Sequence, residues 1–118
     1  MATEDDVRRI ALSLPETTEK PWFNTPGFRV KDKGFLRIRT EAEGDLVVFV
    51  SDLGEKDALL ASDPAKFFTT PHYDGYPAVL VDLAAIDVDE LRELITDSWR
   101  LKAPKRVLKV FDEQSGDN

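Results

Sequence analysis

Apolar residues recur along this chain with two different periods, and the switches between them mark out the elements. Val7, Ile10, Ala11 and Leu14 are spaced by three and four, which predicts an amphipathic helix. Thr3 supplies a capping hydroxyl, Glu4, Asp5 and Asp6 suit the positive end of the helix dipole, and Pro15 ends the run. The period then shortens to two. Glu19–Phe23 reads as a short strand, followed by Phe28–Lys31 and Phe35–Thr40, joined by Lys-Asp-Lys-Gly, and by Leu46–Ser51 beyond a polar turn at Glu41–Asp45. A second helix is expected from Leu53 to about Ala61. Asp63-Pro64 then reads as a cap and first-turn proline opening a short helical turn through Phe68. Ala78–Leu83 is almost continuously apolar, so it belongs inside the sheet. Asp87 and Glu90 cap a third helix whose stripe is Val88, Leu91, Ile95 and Trp99, with Leu94 beside it. The residue before a proline disfavours helical geometry, so Ala103-Pro104 interrupts the helix, and Pro104 opens a last one to about Asp112.

This order predicts an α+β protein. One antiparallel sheet with helices packed on one face, a two-layer sandwich, buries these stripes most economically. A single domain over residues 1–112 is expected, with 113–118 (EQSGDN) as a disordered tail.

Composition narrows the function classes. The formal charge is -7, which opposes a general coating of polyanions, although a local basic face on an acidic body remains compatible with it. There are no cysteines and one histidine, so thiolate chemistry is excluded and a zinc site fits poorly; no metal or cofactor is expected. The same usage fits a cytoplasmic protein. The polar opening MATEDDVRRI is unlike a signal peptide, and the apolar run LVVFV falls far short of the ~20 residues that cross a bilayer, so no membrane role is expected.

The charge is segregated. Ten of the sixteen Lys and Arg residues lie in two windows: Arg29, Lys31, Lys33, Arg37 and Arg39, then Arg100, Lys102, Lys105, Arg106 and Lys109. Asp32 is the one acid within either window. Pairing Val30 with Leu36 and Phe28 with Ile38 sets Arg29 opposite Arg37, two like charges that would repel across the sheet. Odd positions of this hairpin then form a cationic face, and even positions turn to the helices. On the last helix Lys105, Arg106 and Lys109 share one side, opposite Val107, Leu108 and Phe111. Two readings stand for both windows: solvated surface with dipole complementarity, or phosphate contacts. The Ala103-Pro104 break has the outline of a helix-turn-helix, and equally of one helix broken at a proline. Its second helix starts with Lys105 and Arg106 only, so base readout is not expected.

The stretch TTPHYDGYP (69–77) holds the single histidine, His72, and both tyrosines, Tyr73 and Tyr76. His72 as base, Asp74 as orienter and Thr69 or Thr70 as nucleophile are the residue types of a hydrolytic set. Asp74, however, sits where it bonds its own turn, and no phosphate cradle, nucleophile elbow or metal-ligand spacing accompanies it, so no catalytic set is expected. Pro71 and Pro77 stiffen the loop, Asp74-Gly75 turns it and the aromatics anchor it: a rigid packed turn first, and second a ligand loop of His72, Tyr73, Asp74 and Tyr76. The acids Glu4, Asp5 and Asp6 read as helix-start residues, with an acidic ridge for iron or a protein partner as the alternative.

Four stretches, ALSLPETTE (11–19), PGFRVKDKGFLRI (26–38), LLASDPAKFFTTPHYDGYPAVLVDL (59–83) and DELRELITDSWRLKAPKRV (89–107), together resemble the MmcQ/YjbR family of small bacterial proteins. HYDGYP and the W-R-x-x-A-P-K-R pattern from Trp99 to Arg106 are the most specific parts. The resemblance implies a CyaY-like, frataxin-like two-layer fold and a DNA-binding role, and it supplies no established catalytic residue or cofactor to carry over. The expected function is therefore weak DNA binding through the two basic windows. The alternative is a module that binds a protein or small ligand at the 69–77 loop.

Overall fold

A computed structural model describes residues 1–22, 25–39 and 46–115. The elements run α1 (Glu4–Ser13), β1 (Thr17–Trp22), β2 (Thr25–Val30), β3 (Lys33–Ile38), β4 (Leu46–Phe49), α2 (Leu53–Ser62), β5 (Phe67–Phe68), β6 (Ala78–Val81), α3 (Val88–Lys102) and α4 (Lys105–Ser115), with 3-10 turns at Pro71–Tyr73 and Leu83–Ala85. All strand pairs are antiparallel in one six-stranded sheet of order β1-β2-β3-β4-β6-β5. The α+β class expected from the pattern is the one found.

The helix starts follow from their caps. Thr3 and Asp6 close a reciprocal capping box, and the hydrogen bonds to Arg9 and Thr3 hold the Asp6 carboxyl below its ordinary pKa. Asp52 accepts from the Glu55 amide and Asp87 from the Glu90 amide, both at 2.8 Å. The expected stripes face inward. Val7, Ile10 and Ala11 of α1 and Leu91, Ile95 and Trp99 of α3 are buried against Phe28, Val30, Leu36, Ile38, Val48, Val79 and Val81 of the sheet. Leu59 and Leu60 of α2 and Leu108 and Phe111 of α4 pack on the same core, so the helices form one layer. Trp99 also donates its indole N–H to the Pro15 carbonyl at 3.1 Å, tying α3 to the end of α1.

Three expectations need correction. First, the β2–β3 hairpin turns on two residues, not four. Lys31 and Asp32 have φ of 48° and 70°, the left-handed pair a tight hairpin requires. Val30 therefore pairs with Lys33 and Arg29 with Gly34, while Phe28 pairs with Leu36 and Gly27 with Arg37. Phe35 is the extra residue of a bulge, which lets Phe35 and Leu36 both bury in one core. Arg29 and Arg37 therefore do not face each other. Second, Asp63–Lys66 turn back on the Asp63 carbonyl without becoming a helix, and Phe67–Phe68 form the edge strand on β6. Third, α4 continues to Ser115, beyond the end expected at Asp112, so the tail is helical at 113–115. The turn expected at Glu41–Asp45 lies outside the described residues. Among those described, no helix is long and apolar enough to cross a membrane.

Candidate functional site

The sheet has a second face, and it is not simply solvated. The register places Gly27, Arg37, Val47, Leu80 and Phe68 side by side across five strands. Val47, Ala78 and Leu80 are buried there under Phe49, Phe68 and Tyr73. The cover comes from the 69–77 loop at one side and Trp22 at the other.

Trp22 lies against the backbone of Gly27 and Gly34. A Cβ at Gly27 would stand 2.7 Å from the Trp22 Cβ, and one at Gly34 would stand 2.4 Å from its Cζ3. The two glycines are therefore required in mid-strand for a ring to lie this close. Trp22 stacks on Phe49 with centroids 5.7 Å apart and planes 12° apart. The Arg29 guanidinium stands 5.1 Å from the Trp22 ring centre and the Lys102 ammonium 5.5 Å from that of Phe49.

The loop is held at three points. The Pro71–Tyr73 turn and the Asp74-Gly75 pair, with Gly75 at φ 82°, reverse the chain. Tyr73 then packs on Val47 and Leu80, and its hydroxyl accepts from Arg37 Nη1 at 3.0 Å, while Arg37 Nε donates to the Trp22 carbonyl at 3.2 Å. Arg39 stands 5.4 Å from the Tyr73 ring centre. Below, Lys56 of α2 is only 4 % exposed and donates its ammonium to the carbonyls of Tyr73 at 2.6 Å and Tyr76 at 3.0 Å. Two of the three donors of this buried cation are thus used, which offsets part of the cost of burying it.

Between these supports lies a groove of about 250 Å³, lined by Trp22, Arg37, Phe49, His72, Tyr73 and Tyr76 above Val47 and Ala78. Tyr76 is 60 % exposed at its rim. No carboxylate lines the groove among the described residues, although the chain holds 23 acids.

The predicted residues thus divide. Arg29, Arg37 and Arg39 share the open face with His72, Tyr73 and Tyr76. Lys102 joins them at the edge. Lys31 does not: it sits in the hairpin turn and pairs with Glu16 at 3.2 Å. Arg100 packs on Phe111 and pairs with Asp112 at 2.7 Å. Arg106 lines a depression with Pro15 and Glu16, and Lys105 and Lys109 are exposed on α4, on the helical side. Asp74 is the residue that ends the 3-10 turn, its amide bonded to the Pro71 carbonyl. His72 meets the Tyr73 ring edge-on, and no hydrogen bond joins it to Asp74, Thr69 or Thr70 among the described residues. Glu4, Asp5 and Asp6 face Arg8 and Arg9. Trp22, Phe49 and Lys56 were not anticipated. The signal that could have found Trp22 is the pair of glycines inside alternating strands.

A family model described as YjbR matches residues 12–101. The chain belongs to the YjbR family. Similar proteins include uncharacterized protein Rv2570 of Mycobacterium tuberculosis and uncharacterized protein Mb2600 of Mycobacterium bovis. Each is 45% identical over 129 residues, covering 98% of this chain and 100% of the relative. No solved structure matches.

Proposed function

We propose that this YjbR protein binds nucleic acid through the open face of its sheet, as a binding protein without catalysis. One observation carries the reading: in a chain of net charge -7, Arg37 lines a groove with Trp22, Phe49 and Tyr73 in which no described residue is a carboxylate, and Arg29 and Arg39 stand over the Trp22 and Tyr73 rings. Guanidinium groups take phosphate oxygens, and ring faces take bases whatever their sequence. The C-terminal window contributes through Lys102; α4 lies on the other side of the sheet and carries no part of this site. Action in the cytoplasm and a CyaY-like kinship of the fold belong to the same reading, though fold alone specifies no function.

Four cations, Arg29, Arg37, Arg39 and Lys102, set the expected salt dependence. If each neutralises one phosphate, log affinity should fall against log salt with a slope of about -3.6 on duplex or about -2.8 on a single strand. The test is an oligonucleotide titration over a salt series with the wild type and with Arg29→Glu/Arg39→Glu. The double variant should lose binding. Unchanged binding would remove this surface from the reading, and no binding by the wild type at low salt would remove the reading itself. A second reading, a protein or small-ligand module at the 69–77 loop, is favoured by the apolar floor of the groove and by the way Lys56 holds the loop preformed.

A further inference from the structure

Phosphate contacts alone leave the aromatic groove without a role. We propose that the groove between Trp22 and Tyr76 holds one unpaired base, so that the protein selects single-stranded over duplex nucleic acid. This rests on the nucleic-acid reading and adds the form of the strand.

Size, chemistry and charge point to this occupant. At about 250 Å³ the groove lies below the ~300–1,000 Å³ of pockets that enclose drug-sized ligands, so it suits one ring system. Its sides are aromatic. Trp22 already stacks on Phe49, and Tyr76 stands exposed at the rim with its backbone fixed by Lys56. A platform whose rings are positioned before binding spends little conformational entropy when a base stacks on it. Arg37 stands in the lining and braces both walls, donating to the Trp22 carbonyl and to the Tyr73 hydroxyl. Outside, Arg29 and Arg39 flank the groove through Trp22 and Tyr73. A base in the groove with its phosphates toward these two cations matches the whole arrangement. A duplex does not, because its bases are stacked inside and must be extruded at a cost of a few kcal/mol.

The decisive comparison uses four probes: an oligothymidylate, a strand of equal length made of abasic sites, a duplex of that length, and thymidine monophosphate. Each is titrated against the wild type and Tyr76→Ala, whose exposed side chain can be removed without disturbing the core. The single strand is expected to bind at least about tenfold more tightly than the abasic strand or the duplex, the scale of one stacked base. Tyr76→Ala should bring the strand down to the abasic level and leave abasic and duplex binding unchanged. Equal binding of natural and abasic strands would overturn the base pocket while leaving the phosphate-binding reading intact. Competition by the mononucleotide as strong as the strand's would give the groove to free nucleotides and overturn strand selection. Failure of every probe to bind would overturn both readings.

Discussion

The two faces of this sheet are made from alternate residues of the same strands, yet they follow opposite rules. Toward the helices, Phe28, Leu36, Val48 and Val79 are fully buried in an apolar core closed by α1 and α3. Toward the outside, Val47 and Leu80 are covered by Phe49, Phe68 and Tyr73, with Trp22 beside them, and the cover leaves a groove. The first face is what any two-layer fold needs. The second is more elaborate than solvation requires: two glycines make room for Trp22, a buried lysine holds the loop and the arginines lie over rings. A face that served only solubility would need none of these features.

That contrast can be attacked from either side. The largest stability loss should come from the helical face, where Phe28→Ala should cost about 3–5 kcal/mol in urea unfolding. Next is Gly34→Ala, which drives a methyl into the Trp22 ring; it should cost about 1–3 kcal/mol and shift the Trp22 emission as the ring is displaced. Lys56→Met leaves the Tyr73 and Tyr76 carbonyls without their donor. It should cost about 1–3 kcal/mol, and hydrogen exchange should rise in residues 69–77 while α1 and α3 stay protected. Tyr76→Ala should change stability by less than about 0.5 kcal/mol yet impair single-strand binding, separating function from fold on the open face. The smallest effect lies away from the sheet. The Asp6 carboxyl is depressed below its unfolded value of 3.8, so its contribution is present above that value and fades as pH falls through the lower folded one. Asp6→Asn should remove that slope from an acid titration of stability.

The sequence disclosed the helical face well, because burial imposes a period. Caps at Thr3 and Asp87, the stripe through Leu91, Ile95 and Trp99, and the interior place of Ala78–Val81 were all legible. The open face was legible only in its parts. Arg29, Arg37 and Arg39 were assigned to one face, but their register was misread, because alternation alone does not reveal the bulge at Phe35 or the left-handed pair Lys31-Asp32. Whether the basic strand residues and the 69–77 loop met was not legible at all. That depends on long-range packing, on Arg37 reaching Tyr73 from 36 positions away, which no local period encodes. Lys56 looked like any charge on an exposed helix. The C-terminal basic window read as equal to the first, and pairing with Asp112 and the turn of α4 onto the helical core separated them.

The central claim is that the open face, and not α4, meets nucleic acid. Amide chemical-shift mapping with a short single strand at low and high salt tests it most directly. The account predicts salt-sensitive shifts at Trp22, Arg29, Arg37, Arg39 and residues 69–77, with Lys105–Lys109 silent. Shifts centred on Lys105–Lys109, or a spectrum unmoved at low salt, would contradict it.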